Sequence, residues 1–362
     1  MRLVATQCGS HWCWQMGKRR KMSREFEVAI LGAGTIGMLH AENILTSIPS
    51  LKLRAVADPV SDAVQQAHER FGVRVERDWH AAVDDPKLDA VIICSPMNHH
   101  AEQIREAVAT GKHIFCEKPI DWRLEIIDDL LRDVEEQGVI FQTGFNRRFD
   151  RNFASLWQKV TENRLGDLWT LKITSRDPEL PGKDYLKSSG GLFLDMTIHD
   201  FDMARFLARA EIREVTARAS ALVSAETGEA DDVDTALTVL CFDNDVLAVI
   251  DNCRKSAYGY DQRIEVHGER GTMFADNEVT DTTSFWDSSG SHRPPVPHFF
   301  LERYKEAYKL ELESFGRALA GGPVAVSGHD GRQAVLAAIA ANRSLRENRT
   351  VTLAEVAEGT GK

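Results

Sequence analysis

The chain has 362 residues, 43% apolar and 27% charged, with a formal charge of −11. That is enough for two domains with full cores, and its acidity argues against nucleic acid or an anionic membrane as a main partner. No apolar run approaches the ~20 residues of a membrane span. The six cysteines show no C-x-x-C pair, which suits a reducing cytoplasm better than a secreted disulfide scaffold.

Residues 1–24 read as a disordered leader. Met1–Lys21 is basic but lacks the apolar core of a signal peptide, and Met22 offers an alternative start. The ordered pattern begins with Glu25–Leu31, a short apolar run that ends in Gly32-Ala33-Gly34-Thr35-Ile36-Gly37. A helical pattern follows to about Ser47, then a second apolar run, Leu51–Ala57, ending in Asp58. Strand, glycine turn, helix, strand and acid form a dinucleotide-binding unit. The glycines allow a tight turn, close approach of a pyrophosphate and close helix–strand packing. The helix N-terminus offers free N–H groups to the phosphates. Asp58 can accept from ribose hydroxyls and repels a 2′-phosphate, so NAD is favoured over NADP. A plain glycine turn is the competing reading.

The alternation continues. Helices are expected at Ser61–Phe71, Trp79–Val83, His100–Ala109 and Leu124–Gln137, and strands at Asp89–Cys94, His113–Cys116 and Val139–Thr143. Such βαβ units imply a parallel, doubly wound α/β sheet of Rossmann type over residues 25–147. Ligands of these sheets bind beyond the carboxyl ends of the strands. Ser95, Pro96, Glu117, Lys118 and Asn146 stand there, and His100 follows close enough to contact the cofactor. After residue 150 the pattern changes to α+β. Strands are expected at Leu168–Ser175, Val215–Val223, Ala236–Phe242, Val246–Cys253, Gln262–His267 and Thr272–Ala275, and a long helix at Phe299–Leu319. These imply a large, mostly antiparallel open sheet in a second domain, residues 148–328, for substrate binding and oligomerisation. A last helix at 331–346 can return to the first domain. In Ala236–Phe242 both faces are apolar: Leu237, Val239 and Cys241 on one, Leu240 and Phe242 on the other. One face takes helices, and the other is expected to meet a second copy of the chain, making a homo-oligomer.

Within this half, Gly190–Asp202 (GGLFLDMTIHDFD) reads as a helix start. Asp195 and His199 then lie on one face, one turn apart, where a carboxylate and an imidazole can share a substrate hydroxyl. Asp200 and Asp202 point elsewhere. Asp195, His199 and Asp202, or His99 with His100, also suggest metal ligands, but no third ligand stands at a convincing spacing, and no metal is expected.

The glycine turn, Glu117-Lys118-Pro119 and Asp195-x-x-x-His199 together resemble the glucose-fructose oxidoreductase/inositol dehydrogenase/MocA family. The likeness runs from about residue 25 to the end. Gly144–Asp150 (GFNRRFD), Gly191–Leu207, Tyr258–Arg263 (YGYDQR) and Phe299–Phe315 resemble its inositol 2-dehydrogenase branch. The resemblance implies a catalytic trio of Lys118, Asp195 and His199, with NAD as cofactor. It implies polyol contacts from Asn146, Arg147, Asp177 and Tyr260, and a dimer or tetramer built through the second sheet. The implied reaction is oxidation of a cyclic polyol, myo-inositol to its 2-keto form, with other inositols or cyclic sugars as rivals. A cofactor-binding regulatory protein without turnover is the rival of another class. In the chemical reading His199 is the base, Lys118 stabilises the developing alkoxide, Asp195 orients the substrate, and Glu117, if beside Lys118, keeps it charged.

Overall fold

The structure, a computed structural model, describes residues 4–8, 11–15 and 24–359. The expected leader lies largely outside them; within it only the antiparallel backbone pairing of β1 (Val4–Cys8) with β2 (His11–Gln15) is described.

The first main sheet holds β3 (Phe26–Leu31), β4 (Leu51–Ala57), β5 (Arg74–Glu76), β6 (Ala90–Ile93), β7 (His113–Glu117) and β8 (Phe141–Gly144). All six are parallel, in the order β5-β4-β3-β6-β7-β8. The connecting helices are α1 (Thr35–Ser47), α2 (Ser61–Phe71), α3 (Trp79–Val83), α4 (His100–Ala109) and α5 (Leu124–Gln137). Helices on both faces explain why β6 (AVII) is buried at every position. Strand β5 has no counterpart in the sequence reading. Its three residues, Arg-Val-Glu, are too few and too polar to show a period.

The second sheet is reached through α6 (Arg151–Thr161). It holds β9 (Leu168–Arg176), β10 (Ile212–Ser220), β11 (Thr235–Phe242), β12 (Leu247–Cys253), β13 (Asp261–Gly268) and β14 (Gly271–Ala275). Helices α7 (Lys183–Ser188), α8 (Ile198–Ala208) and α9 (Ala225–Glu229) lie between these strands in sequence. A hairpin follows, β15 (Phe285–Asp287) with β16 (Gly290–His292). Then come α10 (Phe300–Arg303), α11 (Lys305–Leu319), α12 (Gly328–Glu347), an edge strand β17 (Val351–Thr352) and α13 (Leu353–Gly359). The order is β14-β13-β9-β12-β11-β10-β17, antiparallel except for the parallel pair β9 and β12. In β11 burial alternates strictly. Ala236, Thr238, Leu240 and Phe242 face inward, while Leu237 and Val239 are 54% and 45% exposed.

The expected helix Phe299–Leu319 is broken. Tyr304, at φ −111° and ψ 14°, separates α10 from α11. The break turns two neighbours inward: Arg303 pairs with Asp150, and the Tyr304 hydroxyl lies 3.3 Å from Gln262 Oε1.

The two sheets are joined by buried contacts. Leu312, Phe315 and Leu319 of α11 pack with Phe26, Ile30 and Phe115 of the first sheet. At the start of α12, a side chain on Gly331 would meet Ile120 and Thr143 at 2.7 and 2.9 Å. Further along, Ser344 Oγ of α12 accepts the Ala217 N–H of β10 at 2.9 Å. Arg148 fastens the arrangement, donating to Asp202 of α8 at 2.5 Å and to Asp330 of α12 at 2.9 Å. Asp202 and Arg148 are both buried. Removing one partner of a buried pair leaves an uncompensated charge. Arg148→Met is therefore expected to cost about 3–5 kcal/mol, read from the midpoint of urea unfolding. An unchanged midpoint would remove this pair from the account of how the halves are held.

Candidate active site

The glycine turn sits at the carboxyl end of β3. Gly32 has φ +104°, and a Cβ there would lie 2.6 Å from Cys94 C and Ser95 N. A Cβ on Gly37 would lie 1.9 Å from Gly32 O, so α1 can approach the turn only with glycine there. A Cβ on Gly34 would meet nothing within 4 Å, which leaves that side open to a ligand. No side chain caps α1, so the N–H groups of its first turn, at Thr35, Ile36 and Gly37, face outward for phosphate. Asp58 stands at the tip of β4. Its carboxylate accepts from Ala33 N–H at 2.7 Å and Val60 N–H at 2.9 Å, which fixes it beside the turn. An open cradle, an uncapped helix end and a fixed acid fit a dinucleotide.

Two expectations for the neighbouring strand ends need correction. His100 is buried, with its ring nitrogens 2.8 Å from the carbonyl oxygens of Ser95 and Pro119. It ties the Ser95-Pro96 turn to the Lys118-Pro119 loop from within instead of facing a cofactor. Glu117 is not turned to Lys118. Its Oε1 lies 2.8 Å from His40 Nε2 of α1. Side chains of successive residues at a strand end point opposite ways, and Lys118 goes to the cleft. Ser95 Oγ donates to Gln103 Oε1 at 2.7 Å.

In the cleft the structure brings together Lys118, Asp195 and His199. The helix that carries the last two does not begin as a plain α-helix. Phe193–Thr197 is a π-turn that runs into α8, a local widening common at functional sites. Gly190 and Gly191 precede it at φ +82° and +85°. Lys118 Nζ donates to the Asp195 carbonyl at 2.7 Å and lies 3.4 Å from its Oδ1. Two further residues hold this carboxylate, and neither stood out in the sequence. Tyr185 of α7 donates its hydroxyl to Oδ1 at 2.7 Å, and Arg254, just past β12, donates to Oδ2 at 3.0 Å. Burial pushes the Asp195 carboxyl up, but the charges of Lys118 and Arg254 and the Tyr185 bond outweigh it, so the net direction is down.

His199 is the opposite case. Burial, then the positive charges of Lys118 and Arg147, push its imidazole well below the usual value. It is neutral at physiological pH. Its Nδ1 is buried with no hydrogen-bond partner among the described residues, and its ring stands edge-on to Phe145 at 5.8 Å.

The expected polyol contacts divide. Asn146 is buried, and no described residue hydrogen-bonds its side chain. Asp177 is placed by its N–H, which donates to Cys253 O at 2.9 Å. Its carboxyl is pushed up to about 6, by burial first and by the charges of Asp195 and Asp200, against Arg254 and Arg147. Tyr260 lies beneath, its hydroxyl 3.5 Å from Arg147 Nη2. Arg147 is engaged within the protein, 2.5 Å from Asp200 Oδ1 and 3.3 Å from Ser175 Oγ. The other Asp200 oxygen accepts from Asn252 at 2.8 Å. Arg147 thus belongs to a buried network under the cleft. Asp202 is bound to Arg148, so it does not converge with Asp195 and His199 on a metal.

Comparison with known proteins agrees with this geometry. Residues 26–145 match a family model described as an oxidoreductase family with an NAD-binding Rossmann fold. Residues 153–274 match the GFO/IDH/MocA C-terminal domain. The chain is 46% identical to a myo-inositol 2-dehydrogenase of Thermotoga maritima over 91% of this chain and 99% of that one. It is 42% identical to an inositol 2-dehydrogenase of Rhizobium meliloti over 90% and 98%. A scyllo-inositol dehydrogenase of Lactobacillus casei, solved with NAD(H) and scyllo-inositol, superposes with a TM-score of 0.86 at 30% identity, covering 91% and 100%.

Asp58 gives this half of the cleft its cofactor test. On the expectation that Asp58 accepts from the ribose and repels a 2′-phosphate, Asp58→Ala removes both effects. The ratio of kcat/KM for NADP to that for NAD is expected to rise about tenfold or more, the size of one interaction of ~1.4 kcal/mol. An unchanged ratio would show that the acid does not select the cofactor.

Proposed function

This chain belongs to the GFO/IDH/MocA family of NAD-binding oxidoreductases, and from that premise we propose that it oxidises a secondary alcohol of an inositol, foremost myo-inositol to 2-keto-myo-inositol. The observation that carries this reading is the convergence of the Lys118 ammonium, the ionised Asp195 carboxylate and the neutral His199 imidazole at the edge where the glycine turn opens.

NAD, when bound, supplies the hydride acceptor. The remaining tasks fall to the chain. His199 takes the hydroxyl proton, for which it must be neutral, and burial with two nearby cations keeps it so. Lys118 presents its ammonium to the oxygen on which charge develops. Asp195 fixes Lys118 and takes up a neighbouring hydroxyl of the ring. Asn146 and Asp177 bind further hydroxyls, with Tyr260 at the floor and Arg147 holding that floor in place. Each contact suits an uncharged ring with many hydroxyls. A regulatory protein without turnover has no need of this trio in register.

We assign oligomerisation to the outer face of the second sheet. Leu237, Val239 and Leu247 are exposed there, with Trp169 and Phe274 further across, a run of apolar surface suited to a second copy. No helix of the described residues is long and apolar enough to cross a membrane, and the reading places the enzyme in the cytoplasm.

Initial rates of NADH formation on myo-, scyllo- and D-chiro-inositol, glucose and xylose test the reading. Turnover with NAD on an inositol is expected; silence on all five with NAD bound would overturn it. Lys118→Ala is expected to lower kcat by about 10²–10⁴-fold while NAD still binds. Near wild-type turnover would make the lysine a bystander. Burial pushes the Asp177 carboxyl up to about 6. Above that value it is ionised and a stronger acceptor for a hydroxyl. The kcat/KM for the polyol is therefore expected to fall as pH drops through about 6, and Asp177→Asn to remove that limb. Persistence of the limb in the variant would assign it elsewhere.

A further inference from the structure

The chemistry above leaves one buried cluster unused. His40 on α1, Glu117 at the end of β7 and Glu311 on α11 bring three ligand-type atoms within 4.8 Å of one another. His40 and Glu311 are fully buried. Neither carboxylate oxygen of Glu311 has a hydrogen-bond partner among the described residues, nor has His40 Nδ1. Among these residues no Lys or Arg pairs with either glutamate; the one ion-pair contact is His40 Nε2 to Glu117 Oε1 at 2.8 Å.

Glu117 is half-buried and Glu311 fully buried, and a buried carboxylate this close to another does not stay charged without compensation. A divalent cation is one solution, but a metal-bound imidazole normally gives its other N–H to an acceptor, and His40 Nδ1 has none. A proton is the other. With His40 in the Nε2–H tautomer, assigned from the contact itself, the imidazole donates to Glu117 and Nδ1 keeps a lone pair that asks for no acceptor.

We propose that Glu311 is a neutral carboxylic acid that keeps its own proton, directed toward the Glu117 carboxylate, and that Glu311 and His40 together are positioning residues that hold the Lys118 loop against α1. The proposal rests on the reading of Lys118 as the group that meets the reacting oxygen. Several features of the surroundings support it. Burial first, and the Glu117 charge second, push the Glu311 carboxyl well above its usual range. Phe115 and Tyr308 stand edge-on to His40 at 5.5 and 5.8 Å and keep its surroundings apolar. The other titratable groups within reach of the two glutamates are Tyr308 on α11, Cys94 after β6, Cys116 on β7 and His100 on α4. Burial raises the first three and lowers His100, so all stay neutral and offer no counter-charge. Gly144, at the end of β8, leaves the space that Glu117 occupies, since a Cβ there would sit 2.9 Å from Glu117 Oε2. The cluster thereby joins the phosphate-facing helix α1, the strand that leads into Lys118 and the helix α11 that arrives from the second half.

Infrared spectroscopy of the full chain at neutral pH, with and without NAD, tests this without substrate. A protonated-carboxyl C=O band is expected in the wild type and is expected to vanish in Glu311→Gln. Because glutamine keeps a neutral donor, Glu311→Gln is expected to hold kcat and the KM for NAD within about threefold, whereas Glu311→Leu lowers kcat/KM for NAD about tenfold, the span of one hydrogen bond. The KM for the polyol stays unchanged in both. Absence of the band in the wild type overturns the proposal. So does a Glu311→Gln variant as impaired as Glu311→Leu, and so does a stoichiometric divalent ion that copurifies with the wild type and is lost in Glu311→Gln. The band is read in the absence of a polyol, so its failure is distinct from failure of the inositol reading.

Discussion

Everything in the cleft is referred to one carboxylate. Asp195 receives Lys118 from the first sheet, Arg254 from the second and the Tyr185 hydroxyl from the short helix α7. Burial alone would favour its neutral form, yet two cations and a hydroxyl hold it ionised. The ionised group then fixes the lysine, and its backbone carbonyl, presented by the π-turn, accepts from the same ammonium at 2.7 Å. Loss of this carboxylate would take from the half-buried Lys118 its carboxylate partner and leave the buried Arg254, among the described residues, with Asp232 alone as ion-pair partner, at 3.8 Å. The halves of the chain are therefore aligned by electrostatics at the point where the chemistry needs them aligned.

Lys118 also acts on the imidazole proposed as the base. Burial lowers His199 first, and the charges of Lys118 and Arg147 lower it further. Arg147 can stay buried because Asp200 answers it, and Asp200 is completed by Asn252, which in turn accepts from Thr197 at 2.8 Å. A buried polar network of this kind favours a single arrangement only when each member is answered. Carboxylate and imidazole are thus linked through Lys118, whose charge favours an ionised Asp195 and a neutral His199.

The sequence was most legible where chemistry leaves no choice of residue. The glycine turn followed by Asp58 announced the first sheet, because only glycine fits at Gly32 and Gly37. The spacing of Asp195 and His199 singled out two residues that Lys118 reaches, although the turn between them is wider than an α-helix. The sequence was silent where a residue acts through tertiary contact. Arg254 follows an ordinary strand, and Tyr185 lies in a six-residue polar helix with no usable period. The family resemblance implied Arg147 as a polyol contact, and nothing local in the sequence pointed to its partner Asp200, 53 positions away. Glu117 was expected beside Lys118 because they adjoin in sequence, and strand geometry sends them apart. The break at Tyr304 was hidden by an unbroken helical pattern, since it exists to place Arg303 and Tyr304 in the interior.

The measurement that most directly tests Asp195 as the organising group is a double-mutant cycle on kcat/KM for the inositol, with Lys118→Ala, Asp195→Asn and the pair combined. Residues that act as a unit are strongly non-additive. The account expects the double variant to be no worse than the poorer single variant. Losses that multiply independently would contradict it, for they would mean that the lysine and the carboxylate serve the reaction separately.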